Sequence, residues 1–334
     1  MVKTAAAFLG RWGFREVTDM TRYRDALPQL GDRLFLTDGG IETTLIFHEG
    51  LDLPYFAAFH LLKDAGGTGA LKDYYRRHAA IARDSGTGFI LESATWRASA
   101  DWGDKLGYSR NALDDANRKA IEMLHELRDE LETGATPMVV SGCVGPRGDG
   151  YDPGSVMTAA EAEAYHARQI GVFAEAGADM VTAITMTNVP EAIGVTRAAR
   201  ARGMPVAISF TVETDGRLPT GEPLWDAVSA VDSATGSGPA YYMINCAHPS
   251  HFAGQLEAGE AWVDRIRGLR ANASRCSHAE LDQATELDTG DPVELGRLYR
   301  ELRGRFGHIN VLGGCCGTDH RHIEQICDHC RQAA

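Results

Sequence analysis

Eight short apolar segments, each followed by a stretch with helical signals, constrain the fold of this chain more than any other feature of its sequence. Several carry apolar residues at consecutive positions, as strands covered on both faces do. The seventh is the least strand-like because it is rich in Gly and Arg. The segments are RLFLTD (33–38), GFILES (88–93), PMVVSG (137–142), DMVTAIT (179–185), PVAISFTV (205–212), YYMIN (241–245), IRGLRANA (266–273) and INVLGG (309–314).

Helix start signals fall between these segments. Thr158 and Glu161 have the spacing of a capping box, and Ser109 can cap a long helix. Asp291 and Pro292 open another helix, with proline at its first position. Eight strands that alternate with helices predict a (β/α)₈ TIM barrel, and a doubly wound open sheet is the alternative.

The domain organisation follows from the position of the first strand. Residues 1–32 precede it and are predicted to form an N-terminal helical extension, and residues 33–334 are predicted to form the barrel. The acidic stretch 279–291 is predicted to be a loop.

Charge and cysteine usage exclude several classes of protein. The formal net charge of -13 disfavours binding to nucleic acid or anionic membranes. The apolar patch at the N-terminus is interrupted by Gly10, Arg11 and Gly13, so it is too short for a signal or a membrane span. The odd number of cysteines, 7, fits a reducing compartment. These features favour a soluble cytoplasmic protein and leave homo-oligomerisation open.

Polar, glycine and cysteine residues gather at the predicted carboxyl ends of the strands, where TIM barrels place their chemistry. In chain order, the strand-end sequences are TDGGIET, ESATW, SGCVGPRGDGY, TMTN, NCAHP and GGCCG.

Three cysteines stand at two of these strand ends. Cys246 follows the sixth strand, and Cys315 and Cys316 follow the eighth. In a closed barrel both ends open onto one rim, and Gly313 and Gly314 are expected to let the backbone bend so that adjacent side chains face one centre. Three thiolates leave one position of Zn²⁺ open, as in catalytic zinc sites. A cluster of buried thiols or a vicinal disulfide is the alternative.

The other cysteines have weaker signals. Cys327 and Cys330 form a C-x₂-C pair, but they lie three residues apart on the last predicted helix, where packing is the favoured interpretation over a zinc knuckle. Cys143 and Cys276 have no spaced partner, although Cys143 follows a strand and can line the site.

An open zinc site made of three thiolates favours chemistry at sulfur. Such a zinc is a poor Lewis acid, but it binds a fourth thiol and lowers the pKa of that thiol. The resulting thiolate can attack a methyl group on an onium compound. Trp96, Trp102 and Tyr108, after the second strand, can present aromatic faces to such a cation, with ordinary loop packing as the alternative.

Three motifs carry a family resemblance. DGGIET (38–43), NCAHP (245–249) and GGCCGTDHRHI (313–323) resemble the homocysteine S-methyltransferases. That family includes betaine– and S-methylmethionine–homocysteine methyltransferases and the homocysteine domain of methionine synthase. The resemblance extends from about residue 31 over nearly the whole chain. It implies a (β/α)₈ barrel with zinc bound by the three motif cysteines, Cys246, Cys315 and Cys316.

The resemblance also implies substrate contacts. Asp38 is expected to meet the substrate amino group, and the backbone of Gly39 and Gly40 is expected to receive the carboxylate. Asn245 and Asn272 match positions that line the site. Further candidate contacts at the strand ends are Glu42, Glu92, Thr95 and Trp96.

The sequence departs from the family at the fourth strand. The family has a Glu-Thr pair there, and the matching residues are taken as Met186 and Thr187. A thioether cannot bind an ammonium ion as a carboxylate does, so one contact to the amino group is lost. Glu92 would compensate if it faced inward. The turn after the second strand also lacks the family's Asn.

The leading hypothesis is zinc-dependent methyl transfer to the thiol of homocysteine, giving methionine. The donor is expected to be an onium compound, either S-methylmethionine, S-adenosylmethionine or a betaine. One alternative keeps this chemistry with another thiol acceptor, and a second is a non-catalytic zinc or redox-sensing barrel.

Overall fold

Eight parallel strands form a closed barrel in the computed structural model, which describes residues 21–258 and 260–331. Strand β1 pairs with both β2 and β8, since Phe35 lies opposite Gly88 on one side and Val311 on the other. The predicted TIM barrel is therefore confirmed, and the open sheet is excluded. The strands are β1 Phe35–Leu36, β2 Gly88–Glu92, β3 Met138–Val144, β4 Met180–Met186, β5 Val206–Phe210, β6 Tyr241–Asn245, β7 Ile266–Ala271 and β8 Val311–Gly314.

Helices surround the barrel and return the chain from one strand to the next. Short 3₁₀ helices lie at Pro28–Leu30, Pro54–Phe56, Ala58–Lys63, Gln255–Ala258 and Val263–Arg265, and a π-helical turn lies at Thr43–His48. The α-helices are α1 Ala65–Ser85, α2 Ala100–Lys105, α3 Arg110–Leu131, α4 Ala159–Glu175, α5 Val189–Ala201, α6 Leu224–Thr235, α7 Pro249–Phe252, α8 His278–Asp282, α9 Pro292–Arg305 and α10 His320–Arg331.

The predicted caps are present. Thr158 and Glu161 form a reciprocal capping box at α4, Ser109 accepts a hydrogen bond at the start of α3, and Asp291 accepts two at the start of α9. Each cap satisfies amide groups that the first helical turn leaves without a partner.

We expect Thr158→Ala to lower the free energy of unfolding by about 1 kcal/mol, because the Glu161 amide, 3.3 Å from the Thr158 hydroxyl, loses its acceptor. Urea denaturation followed by circular dichroism measures the change. Thr158→Ser keeps the acceptor and should match the wild type, and equal destabilisation by both substitutions would contradict the capping role.

One loop prediction is wrong in part. The acidic stretch begins with a short helix, α8, which Ser277 and Glu280 open with a second capping box. The Ser-x-x-Glu spacing was the signal for this helix. The remainder, residues 283–291, has no helix or strand.

Two apolar layers explain the consecutive apolar residues in the strands. One layer lies between the strands and the helices, and a smaller one fills the barrel interior with Phe35, Ile90, Met180 and Tyr241. Since every residue of β2 through β6 is buried, these strands have no solvent-exposed face.

The segment before β1 covers the amino-terminal end of the barrel. Leu27 packs into the interior layer, the Tyr23 amide donates to Asp179, and Arg24 donates to the Ala178 carbonyl. Of the predicted extension 1–32, residues 1–20 lie outside the described part. No helix within the described ranges is long and apolar enough to span a bilayer.

Candidate metal and substrate site

A cavity of about 370 Å³ opens at the carboxyl ends of the strands, the end where TIM barrels place their active sites. Its wall contains the three predicted cysteines, Cys246, Cys315 and Cys316. Of the ten predicted substrate contacts, six line it, namely Asp38, Gly39, Gly40, Glu42, Glu92 and Trp96.

The three cysteine sulfurs lie within 4.8 Å of one another. The Sγ atoms of Cys246 and Cys316 are 3.8 Å apart, about the spacing that two thiolates have on a tetrahedral zinc with Zn–S bonds of about 2.3 Å. Cys246 and Cys315 are joined by a disulfide bond, so this bond must be reduced before both can bind a metal. The residues fit a metal with three thiolate ligands and an open position.

The two adjacent cysteines face one centre because they lie beyond the strand. Strand β8 ends at Gly314, and the Thr318 amide donates to the Cys315 carbonyl at 3.1 Å, which closes a turn. Gly317 in this turn has φ of +78°, a conformation that glycine adopts without strain. The alternation of side chains along a strand therefore does not apply to Cys315 and Cys316.

The expected role of Gly313 and Gly314 as a bend is wrong. Both remain within β8, and neither has a positive φ. A β-carbon would overlap the Thr37 side chain at the first position and the Thr318 side chain at the second. These glycines are needed for close approach of neighbouring segments.

Asn245 lies behind the cavity wall, next to the cysteine cluster. Its Oδ1 accepts from the Thr185 amide at 2.9 Å, and its Nδ2 donates to the Thr185 hydroxyl at 2.8 Å and lies 3.9 Å from the Cys315 sulfur. Thr185 and Cys246 both have positive φ, at 64° and 52°, which costs roughly 1–3 kcal/mol per residue. Asn245 is fully buried and does not line the cavity, so the structure places it behind the wall, and its role as a substrate contact stays a prediction.

Asp38 lies on the cavity, but its charge is balanced within the protein. Arg270 Nη2 donates to Asp38 Oδ1 at 2.7 Å, and the Tyr74 hydroxyl donates to Asp38 Oδ2 at 2.9 Å. Both Asp38 and Arg270 are buried. A substrate ammonium at Asp38 would have to share this carboxylate with the guanidinium.

The backbone amide of Gly40 already has a hydrogen-bond acceptor within the protein. It donates to the Thr318 carbonyl at 3.0 Å, and it also lies 3.1 Å from the Thr318 hydroxyl. The Gly40 amide would have to share its hydrogen with a substrate carboxylate, so the expected carboxylate contact of the Gly39 and Gly40 backbone stays a prediction.

Two acidic residues on the wall, the buried Glu92 and the half-buried Glu42, hold their protons unusually tightly. Glu92 faces inward, accepts from the Thr182 hydroxyl at 2.7 Å, and has its pKa raised to about 7 by burial. Its other oxygen, Oε2, has no partner among the described residues. Burial also raises the pKa of Glu42 to about 7.

Met186, a predicted substrate contact, does not line the cavity. The pairing of β4 with β5 shifts register between Ala183 and Met186, and Met186 packs in the outer apolar layer. Ile184 and Thr185 line the cavity in its place. Neither has a carboxylate, so β4 still ends without an acidic residue at the site.

Of the three predicted aromatic residues, Trp96 alone lines the cavity. Its indole N–H donates to the Ile184 carbonyl at 3.3 Å, and the ring lies on the cavity wall. Trp102 lies between Arg97 and Lys105, each 3.8 Å from a ring centre, and Tyr108 packs on a neighbouring Phe ring. These two are outside the lining, as the alternative of loop packing requires.

Thr95 and Asn272 are also absent from the cavity lining, and their roles as substrate contacts stay predictions. The Thr95 hydroxyl donates to the Cys143 carbonyl at 2.7 Å. The backbone amide of Asn272 donates to the Ala247 carbonyl at 3.1 Å. Both residues tie neighbouring strand ends together.

The remaining cysteines follow the sequence interpretation. Cys143 lines the cavity, and Cys276 is exposed. Cys327 and Cys330 are buried on α10 in the outer apolar layer, away from the metal cluster.

Sequence reasoning missed several wall residues. Tyr151 places its hydroxyl 3.2 Å from the Cys316 sulfur and stacks on His278 at 4.0 Å. Arg97 and Arg270 also line the cavity. The signal for Arg270 was present, because arginine inside a strand buried on both faces needs a partner.

Comparison with known proteins gives a consistent result. The Zea mays protein "Homocysteine S-methyltransferase 4" is 24% identical over 318 residues, which cover 89% of this chain and 90% of that protein. "Methionine synthase" of Mycobacterium leprae (strain TN) is 26% identical over 316 residues, which cover 90% of this chain and 25% of that longer protein.

Solved structures agree on the fold. The metallated form of the homocysteine methyltransferase MmuM from Escherichia coli superposes with a TM-score of 0.70 at 19% identity, covering 91% of this chain and 98% of that one. The oxidized form of the same protein gives 0.70 at 20% identity, covering 90% and 97%.

The family expected from the motifs is confirmed. The family model described as "Homocysteine S-methyltransferase" matches residues 35–330, which include all eight strands and the three clustered cysteines. The chain belongs to the homocysteine S-methyltransferase family and is a methyltransferase.

Proposed function

We propose that this protein transfers a methyl group from an onium donor to the thiol of homocysteine, giving methionine, with zinc bound by Cys246, Cys315 and Cys316. The observation that carries the proposal is the convergence of these three sulfurs, from the ends of β6 and β8, in one cavity.

The chemistry of the donor set favours zinc. Three thiolates are soft ligands, and such a set is typical of zinc sites. When bound, the metal supplies a positive charge that holds the acceptor sulfur as a thiolate at neutral pH. Because these cysteines must be reduced to bind it, we place the protein in the cytoplasm.

The charge of the cavity wall suits a cationic donor. Six carboxylates line the cavity (Asp38, Glu42, Glu92, Asp149, Glu286, Asp288) against two guanidinium groups, Arg97 and Arg270. The excess of acidic groups attracts a sulfonium or quaternary ammonium compound. Trp96 adds an aromatic face, although Arg97 lies 4.1 Å from one ring centre.

The reaction is an in-line displacement. The acceptor thiol first loses its proton, and its sulfur then forms a bond to the donor methyl carbon. The bond from that carbon to the onium atom breaks, and its electron pair leaves with the neutral donor product. The chain contributes orientation of both reactants and exclusion of water by the cavity wall.

Glu92 is the residue we assign to the acceptor's ammonium group. It is buried, it faces the cavity, and its Oε2 has no partner within the described ranges. An ammonium group there satisfies this oxygen and favours the ionised carboxylate. Glu92 thus takes the place of the acidic residue that β4 lacks.

This assignment predicts a pH dependence. With a pKa of about 7, Glu92 in the free protein is protonated at pH 6 and ionised at pH 8. Only the ionised form attracts an ammonium group, so kcat/KM for homocysteine should rise through pH 7. Glu92→Gln should lower kcat/KM at pH 8 by about 10- to 100-fold, the effect of losing a charged hydrogen bond.

Kinetics from pH 6 to 8 with two acceptors tests this role. 4-Mercaptobutanoate is homocysteine without its amino group, and we expect Glu92→Gln to leave its kcat/KM within about threefold. A similar loss with both acceptors would contradict the assignment of Glu92 to the ammonium group.

A methyl-transfer screen tests the proposed function itself. Protein containing one equivalent of zinc is incubated with homocysteine and CD₃-labelled S-methylmethionine, S-adenosylmethionine or glycine betaine. We expect labelled methionine from at least one donor, detected by mass spectrometry. Absence of labelled product with every donor and with a panel of other thiols would refute a methyltransferase function and favour a non-catalytic zinc or redox-sensing barrel.

A second candidate keeps the chemistry with an acceptor that has no amino group. Ile184 at the end of β4 and the Asp38–Arg270 pair both weaken the attraction for an ammonium ion. A higher kcat/KM for 4-mercaptobutanoate than for homocysteine would support this candidate.

A further inference from the structure

We infer that Arg270 binds the carboxylate of the acceptor and so selects thiols that carry one. This inference rests on the proposed methyl transfer and names a specificity-determining residue for it. It adds Arg270 to the carboxylate contact that the backbone of Gly39 and Gly40 is expected to make.

Arg270 lies beside the ligand cysteines. On one side of β7 it is opposite Asn245, which precedes Cys246, and on the other it is opposite Gly313, two residues before Cys315. Its side chain lines the same cavity as the three sulfurs. A thiol held at the cysteines therefore has this guanidinium on the adjoining wall.

The hydrogen bonds of Arg270 leave part of its donor set unused. Its Nη2 donates to Asp38 Oδ1 at 2.7 Å, and its Nε donates to the Gly314 carbonyl at 3.2 Å. Nη1 is buried and has no partner among the residues that the structure describes. Arg270 as a whole is only 7% exposed. Without a ligand, the unpaired N–H groups of Nη1 therefore carry a desolvation penalty that lowers the stability of the folded protein.

The charge on Arg270 is secure. Burial alone would lower the pKa of Arg270, but the carboxylates of Asp38 and Glu92 outweigh this effect and raise it. The guanidinium is planar and forms charge-assisted hydrogen bonds that suit a carboxylate. Asp38 holds the group in a fixed orientation, which limits the entropy lost when a ligand binds.

The wall offers a complementary pair of unpaired atoms. Arg270 Nη1 is a donor, and Glu92 Oε2 is an acceptor, and both residues line the cavity. The α-carbon of an amino acid carries a carboxylate and an ammonium group, and these match the donor and the acceptor respectively. The Gly40 amide already donates to the Thr318 carbonyl, whereas Arg270 Nη1 has no acceptor among the described residues.

The alternative is that Arg270 acts only as the structural partner of Asp38. The two roles are separated by removing the carboxylate from the substrate as well as the guanidinium from the protein. The matched acceptor is 3-aminopropane-1-thiol, which is homocysteine without its carboxylate.

Steady-state kinetics with the zinc-loaded protein provides the test. The wild type should prefer homocysteine over 3-aminopropane-1-thiol by at least about 30-fold, the effect of one charged hydrogen bond and its geometry. Arg270→Gln should lower kcat/KM for homocysteine by about 30-fold and change kcat/KM for 3-aminopropane-1-thiol by less than about threefold. An equal loss for both acceptors would overturn the inference and leave a structural role.

A second variant guards against misfolding. If Arg270→Gln leaves Asp38 unpaired and does not fold, Asp38→Asn with Arg270→Gln removes both charges and keeps similar shapes. The double variant should also fail to distinguish the two acceptors. A retained preference of at least about 30-fold for homocysteine would overturn the inference.

Equilibrium binding separates this inference from the proposed function. Calorimetric titration of the zinc-loaded protein with each thiol measures recognition without any methyl donor. If no donor supports turnover, the proposed function fails, and a preference for homocysteine that Arg270→Gln abolishes would still support the assignment. Equal affinities of the wild type for the two thiols would refute it.

Discussion

Replacement of Cys316 by Ser is expected to remove bound zinc and to reduce methyl transfer by at least about 10³-fold. The sulfur of Cys316 lies 3.8 Å from that of Cys246 and lines the cavity. A serine hydroxyl is a hard, weakly acidic ligand that cannot replace a thiolate on zinc. Without the metal, the acceptor stays largely a protonated thiol at neutral pH.

Metal analysis of protein purified under reducing conditions without added zinc provides the measurement. The wild type should contain about one equivalent, and Cys316→Ser should contain less than about 0.2. Cys276→Ser is the matched control, because Cys276 is exposed and outside the metal cluster, and it should retain both zinc and activity. Less than half an equivalent in the wild type, unchanged by Cys316→Ser, would rule out the proposed zinc site.

The architecture was predictable because burial on both faces leaves a strong sequence signal. Strand β3, for example, is buried at every position, and its sequence has a continuous apolar start. Helix caps are local as well, since the partners in the Thr158 box are three residues apart. Local signals of this kind survive without any knowledge of the tertiary structure.

The cysteine site was predictable for a topological reason. Cys246 and Cys315 are 69 residues apart, and only barrel closure brings the ends of β6 and β8 together. Once eight strands are counted, the convergence of their carboxyl ends follows from the fold. The resemblance of the motifs to the family then implies that these cysteines bind zinc.

The substrate wall was less predictable because it depends on events that leave no local signal. The register shift in β4 exchanges Met186 for Ile184 and Thr185 on the cavity side. Because side chains alternate between the two faces of a strand, a one-residue shift moves every later side chain to the opposite face. Counting along the sequence therefore does not predict which residues after the shift face the cavity. The Asp38–Arg270 pair joins residues 232 positions apart, and neither motif predicts it.

Backbone packing beside the metal site predicts a second large effect. A β-carbon at Gly40 would lie 2.6 Å from the Cys315 carbonyl oxygen, 2.8 Å from the Thr43 hydroxyl and 3.2 Å from the Thr318 carbonyl oxygen. The Thr43 side chain can rotate, but the Cys315 carbonyl belongs to the turn that carries two of the three sulfurs. Gly40→Ala must therefore move this turn.

We expect Gly40→Ala to weaken zinc binding by about 10- to 100-fold and to lower methyl transfer by about 10²-fold, since small displacements of reacting groups have effects of this size. Competition with a chromophoric chelator measures the metal affinity. Gly69→Ala in α1 is the control, because a β-carbon there meets nothing within 4 Å, and it should bind zinc within about threefold of the wild type. Wild-type zinc affinity in Gly40→Ala would mean that the turn bearing Cys315 and Cys316 adapts to the added methyl group, and that close packing against Gly40 does not hold the metal ligands in place.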